Sequence, residues 1–99
     1  MAKLSEAEIR DSLQDLPGWV NQDGKLTKTF SHASFPEAIK FVNDVAHLAE
    51  LANHHPDIDI RYSNITLSLM THDQGGITHK DVALAKQVEA IRKKVGVPA

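Results

Sequence analysis

Two adjacent histidines run straight into a proline at His54-His55-Pro56, and a third, His72, ends the next pair of alternating segments. Imidazole exchanges protons near neutral pH, so side chains of this type gathered in one place can deliver one proton and remove another. Pro56 disfavours helical geometry at His55, and neighbours on a helix face different ways. The pair is therefore expected to straddle a helix C-terminus and the turn after it. Any one histidine at a helix end is accounted for by solvation or by capping the last carbonyls. Three that converge are better explained by a shared task.

The elements that must position them follow from patterning. Ser5 with Glu8 makes a capping-box pair ahead of Ile9 and Leu13, which predicts a short helix ending before Pro17-Gly18. Trp19-Val20 and Leu26 to Phe30 flank Asp23-Gly24, a dipeptide suited to a tight hairpin turn. Ser34 with Glu37 repeats the capping pair. Phe35, Ile39, Val42, Ala46 and Ala49 then recur at helical spacing until Pro56. Ile58, Ile60 and Tyr62 alternate with polar residues, and the phase changes at Ser63-Asn64 before Ile65, Leu67 and Leu69 alternate again, predicting a second hairpin. Gly75-Gly76 opens a loop, and Thr78 with Asp81 caps a last helix through Leu84, Val88, Ile91 and Val95. The expected fold is α+β, a single domain over residues 1–99: a four-stranded antiparallel sheet with three helices on one face, in the order α-β-β-α-β-β-α.

Spacing then suggests a site. If Ser63 and Asn64 form a two-residue turn, Tyr62 pairs with Ile65, Ile60 with Leu67 and Ile58 with Leu69, and continuing the ladder sets His72 opposite His55. Glu50, one helical turn before His54, is placed to accept its proton or fix its tautomer, although a solvated helix glutamate is an equally simple role. Asp81 could orient an imidazole, although capping already explains it. His47, Glu50 and His54 fall at i, i+3 and i+7 and are permissible zinc ligands. The HExxH spacing and cysteine are both missing, so acid–base chemistry without a metal is the expectation. P-loop, GxGxxG and GxSxG patterns are absent as well.

Composition narrows the classes of function. The 99 residues are 41% hydrophobic and 24% charged, an ordinary globular balance, and the modest length makes self-association useful. A net charge of −2 offers no bulk attraction to nucleic acid or an acidic membrane, and Arg92-Lys93-Lys94 is expected to be a solvated helix end. No cysteine means no disulfide framework and no thiolate nucleophile. The N-terminal stretch lacks the apolar core of a signal peptide and no apolar run approaches bilayer length, so the expected location is cytoplasmic.

The run Glu50-x3-His54-His55-Pro56, Tyr62, Thr71-His72-Asp73, Gly75-Gly76 and Asp81 resembles the signature of the pterin-4a-carbinolamine dehydratases, over the span from Trp19 to the last helix. The resemblance implies an α+β sandwich that associates as homodimers or homotetramers. It also implies loss of water from a 4a-hydroxytetrahydropterin to give quinonoid dihydropterin, in recycling of the tetrahydropterin cofactor, with no metal or redox cofactor. By position, His54 and His72 would be the proton-transfer pair, with His55 orienting the pterin and Glu50 and Asp81 poising the imidazoles. Pro56 and the segment Thr71, His72, Asp73 and Gln74 would line the pocket. Two positions depart from the pattern: Asn53 stands for an aspartate and Lys80 for an arginine, which bears on pH dependence, since losing a negative charge alters a neighbouring imidazole. Some relatives act instead as adaptors, stabilising a transcription-factor dimer or assisting assembly of another enzyme, and the fold alone does not separate these roles. Keeping all three histidines favours catalysis.

Overall fold

In the computed structural model, which describes residues 2–94, each helix starts at a hydroxyl residue that closes its first turn. Before α1 (Glu6–Leu13), Ser5 and Glu8 exchange both bonds of a capping box. Before α2 (Phe35–Ala52), the Ser34 hydroxyl accepts from the Glu37 N–H, and Pro36 occupies the first turn, where its missing donor is not needed. Before α3 (His79–Lys94), the Thr78 N–H donates to the Asp81 carboxylate and the Thr78 hydroxyl accepts from the Lys80 N–H. Val95, expected on the last helical stripe, lies outside the described residues.

Four strands, β1 (Val20–Gln22), β2 (Lys25–Ser31), β3 (Asp57–Arg61) and β4 (Asn64–Leu69), form one antiparallel sheet in the order β1-β2-β4-β3. Asp23 and Gly24 take φ of 53° and 83° in the first hairpin turn, as an Asp-Gly turn requires. The second hairpin corrects the expected register. Ile60 pairs with Ile65, Ile58 with Leu67 and Arg61 with Asn64, so the turn is Tyr62-Ser63 and Tyr62 takes φ of 52°. Moving the turn by one residue shifts every partner by two, which leaves each side chain on its expected face.

On that inner face Leu26, Phe30, Ile65, Leu67 and Leu69 meet Ala38, Phe41, Val45 and Ala49 of α2 and Leu84, Ala85 and Val88 of α3. Phe30 anchors the layer, with Phe41 tilted 4.8 Å away and Trp19 edge-on at 6.0 Å. Truncating so buried an aromatic costs about 3–5 kcal/mol. The buried stripe of α2 runs one position away from the expected one. Ala38, Phe41, Val45 and Ala49 face the sheet, whereas Phe35 and Ala46 are exposed and Ile39 and Val42 half-buried. Helix α2 therefore carries a second apolar flank.

Lys28 lies inward between Leu26 and Phe30, and its ammonium bonds the Pro17 carbonyl and the Glu89 carboxylate, each at 2.8 Å. Gly18, at φ of 84°, leaves room for it: a Cβ there would fall 2.8 Å from Lys28 Cε. Trp19 Nε1 and Arg92 Nε also donate to Glu89. Arg92 is thus buried in an ion-pair cluster and not a solvated helix end. The outer face of the sheet is polar, with Thr29 bonded to Thr66 at 2.8 Å and Thr27 to Ser68 at 3.3 Å. No helix among the described residues is long and apolar enough to cross a membrane.

Candidate active site

Helix α2 stops before both histidines. Asn53 takes the left-handed conformation, φ 49° and ψ 43°, and the N–H groups of Asn53 and His54 return to the carbonyls of Glu50 and Ala49. This closes the helix as a Schellman-type turn, and asparagine is among the few non-glycine residues that accept that backbone. The two imidazoles then part company. His54 turns inward and its Nε2 lies 2.5 Å from Asp81 Oδ1, while His55 turns outward and its Nε2 lies 2.5 Å from Glu50 Oε2. The expected pairing of Glu50 with His54 is therefore replaced: Glu50 serves His55 and Asp81 serves His54.

The two pairs differ in setting. Asp81 is fully buried and the His54 side chain is 11% exposed, so their contact is shielded from water. Glu50 and His55 are 77% and 55% exposed, and their contact is accordingly weak and screened. Asp81 is held from behind: its Oδ2 accepts from the Thr71 hydroxyl at 2.9 Å and the Thr78 N–H at 2.8 Å.

His72 opens a 3-10 turn (His72–Gln74) instead of ending a strand. That turn is pinched at its base, where Thr71 and Gly76 form a β-bridge, and it closes through Gly75 at φ of 69°. The bridge holds His72 and Asp73 on a short tip. Asn53, His54, His55, Met70, Thr71, His72, Asp73 and Lys80 line one cleft of about 360 Å³. The structure thus brings the three histidines together without the ladder that was expected to do so: the strand register sets Asp57 opposite Ser68, and His72 lies beyond β4. Pro56, Gln74, Glu50 and Asp81 are not among the wall residues, Asp81 acting from behind His54. Asn53, Met70 and Lys80 are wall residues outside the expected set. The alternation through Leu69 and the position of Lys80 in the first turn of α3 were the available signals. Among the described residues no group of three His, Cys, Asp or Glu side chains is placed to hold a metal ion.

A cleft of this size has room for a small organic molecule. A buried imidazole oriented by a carboxylate is equipped to exchange a proton, and a second imidazole on the same wall permits acid and base to act on one molecule.

Known proteins share this sequence and fold. A family model described as pterin 4 alpha carbinolamine dehydratase matches residues 2–91. A Roseiflexus sp. protein provisionally named a pterin-4-alpha-carbinolamine dehydratase is 57% identical over 89 residues, covering 90% of this chain and 96% of its own. One from Chloroflexus aurantiacus, named in the same way, is 53% identical over 91 residues, covering 92% and 98%. A crystal structure from Brucella melitensis, described as a transcriptional coactivator/pterin dehydratase, superposes with a TM-score of 0.85 at 33% identity, covering 90% of this chain and 97% of that one. A pterin dehydratase-like protein described as a RuBisCO assembly factor of the alpha-carboxysome shares the fold, with a TM-score of 0.60 at 23% identity over 74% of this chain and 84% of that one.

Proposed function

This chain belongs to the pterin 4 alpha carbinolamine dehydratase family, and from that premise we propose that it converts 4a-hydroxytetrahydropterin to quinonoid dihydropterin and water. The observation that carries the reading is the His54–Asp81 contact, with His54 on the wall of a cleft shared with His55 and His72 and Asp81 buried behind it. In the reaction a base takes the proton from N5, the N5–C4a double bond forms, the C4a–O bond breaks, and an acid protonates the departing hydroxyl as water. His54 and His72 are the proton-transfer pair, and His55, held by Glu50, orients the ring. General acid–base catalysis supplies roughly 10²- to 10⁴-fold, about 3–5 kcal/mol, a fitting scale for so labile a carbinolamine. No metal enters these steps. The test is to generate 4a-hydroxytetrahydropterin and follow its dehydration with and without the purified protein, in the presence and absence of EDTA. Acceleration indifferent to the chelator is expected. A rate equal to the spontaneous one would overturn the reading.

The same reading includes a homo-oligomer, dimer or tetramer. Strand β3 is an edge, and its sequence is complementary to itself: two-fold pairing about Asp59 would set Asp57 opposite Arg61 of the partner subunit, and Ile58 opposite Ile60 of the partner subunit. Ile60, Tyr62 and Phe35 are exposed on that side, the last two stacked with parallel rings 6.5 Å apart, and the second flank of α2 adds to them. Sedimentation equilibrium giving the mass of one chain at micromolar concentration would count against it. This exposed apolar group also favours a second role, as an adaptor for another protein. A monomeric variant that still bound such a partner would separate that surface from self-association.

A further inference from the structure

With Asp81 as a carboxylate, the donors behind it fall into one order. Thr71 has one hydroxyl proton, and it is donated to Asp81 Oδ2 at 2.9 Å. The 2.7 Å contact between the Thr71 and Thr78 hydroxyls therefore has Thr78 as donor, and Thr78 in turn accepts the Lys80 N–H at 3.2 Å. The Thr78 N–H fills the second position on Oδ2, so that oxygen is occupied and Oδ1 is left for His54. All three side chains are buried, at 3%, 0% and 0% exposure, where a hydroxyl without its partner is costly and an alternative arrangement is correspondingly disfavoured.

We propose that Thr71 and Thr78 are positioning residues for the dehydration: a one-way hydroxyl relay that keeps Asp81 a pure acceptor at Oδ1 and so holds His54 as the Nε2–H tautomer, leaving Nδ1 as the nitrogen that exchanges a proton with the substrate. The catalytic consequence rests on the dehydratase reading above, whereas the tautomer does not. The helix cap and the orientation of the imidazole are one device. The Thr78–Asp81 pair that starts α3 also presents the carboxylate to a histidine 27 residues earlier in the chain. Thr71 is accordingly more than a wall residue of the cleft.

Long-range ¹H–¹⁵N spectra of the histidine rings test this on the intact protein. Wild type is expected to show His54 as Nε2–H, and an Nδ1–H signal would overturn the relay outright, whatever any variant does. Thr71→Val keeps the shape and removes the hydroxyl. The expected result is a mixture of His54 tautomers, with kcat lower by about tenfold and KM within about twofold. Thr71→Ser, which restores the donor, should recover the single tautomer and kcat to within about threefold. A folded Thr71→Val protein with one unchanged tautomer and wild-type kcat would overturn the proposal. Should Thr71→Val not fold, Thr71→Ala takes its place with the same expected and overturning results, and an Nδ1–H signal in wild type still overturns the proposal. A protein that dehydrates nothing but whose tautomer responds as described would sink the functional reading and support the relay.

Discussion

Two buried carboxylates, Asp81 at one end of α3 and Glu89 two turns further on, are held in opposite ways. Glu89 meets two cations and an indole: Lys28, Arg92 and Trp19 all donate to it. Burial by itself would raise its carboxyl, but those hydrogen bonds and the charge of Lys28 outweigh burial and leave it below the ordinary carboxylate value. Asp81 meets two hydroxyl-chain and backbone donors, neither charged, and an imidazole that opens onto the cleft. A carboxylate saturated by permanent cations can only hold structure together. One whose last partner is titratable and reaches a cavity can pass on what it feels. The difference lies in the partners, since burial is alike.

That contrast is broken most directly by exchanging the phenotypes. Replacing Glu89 by Ala leaves a buried ammonium without its anion and is expected to cost about 3–5 kcal/mol in chemical denaturation, while the folded fraction keeps its turnover. His54→Ala and His72→Ala are expected to do the reverse, lowering kcat by roughly 10²- to 10⁴-fold with far-ultraviolet circular dichroism unchanged. Wild-type turnover in both histidine variants would remove the cleft from the mechanism. His55→Ala, on the exposed pair, should act mainly through binding, raising KM by about tenfold with kcat nearly intact. A loss confined to kcat would require His55 and its neighbour to exchange roles.

The smallest effect is one of pH. His32 packs on Phe41 with its Nε2 buried and without a hydrogen-bond partner among the described residues, and burial holds its imidazole below the ordinary value of 6.5, against the opposing charge of Glu37. In the window just below pH 6.5 the unfolded chain therefore binds a proton that the folded protein refuses, so stability falls as pH is lowered through it. Glu89 adds a second window below 4.5, where stability present at neutral pH is lost as its carboxylate is protonated. Thermal melts of wild type and His32→Phe between pH 5 and 7, a range of about two units around the imidazole value, should show a shallower slope in the variant. Equal slopes would leave the buried nitrogen without energetic consequence.

The elements that the sequence announces are those with local chemistry. Three hydroxyl-x-x-carboxyl caps and one Asp-Gly turn locate the starts of α1, α2 and α3 and the first hairpin, because their bonds close within four residues. The second hairpin turn lies one residue from its expected place because it puts a tyrosine at positive φ, a conformation that costs about 1–2 kcal/mol and that no propensity anticipates. Long-range pairing is where local rules end. His54 with Asp81 and Lys28 with Glu89 join residues far apart in the chain, and only the fold selects among the available partners. The lysine was nonetheless a visible clue, since an ammonium at an inward position of an alternating strand demands an acid somewhere.

Asn53 is exposed, lines the cleft, and looks free to change by any measure of burial. Its backbone is not free, because the left-handed turn there sends His54 inward and His55 outward. In heritable terms the position is a narrow gate. A single nucleotide change from an asparagine codon reaches Asp, His, Lys, Ser, Thr, Tyr or Ile, of which only Asp and His share asparagine's ease in that conformation. Glycine, the best fit of all, lies two changes away. Variation at this surface site is therefore filtered by a dihedral angle, and most of its neutral-looking substitutions would misdirect the histidines before they altered a single contact of their own.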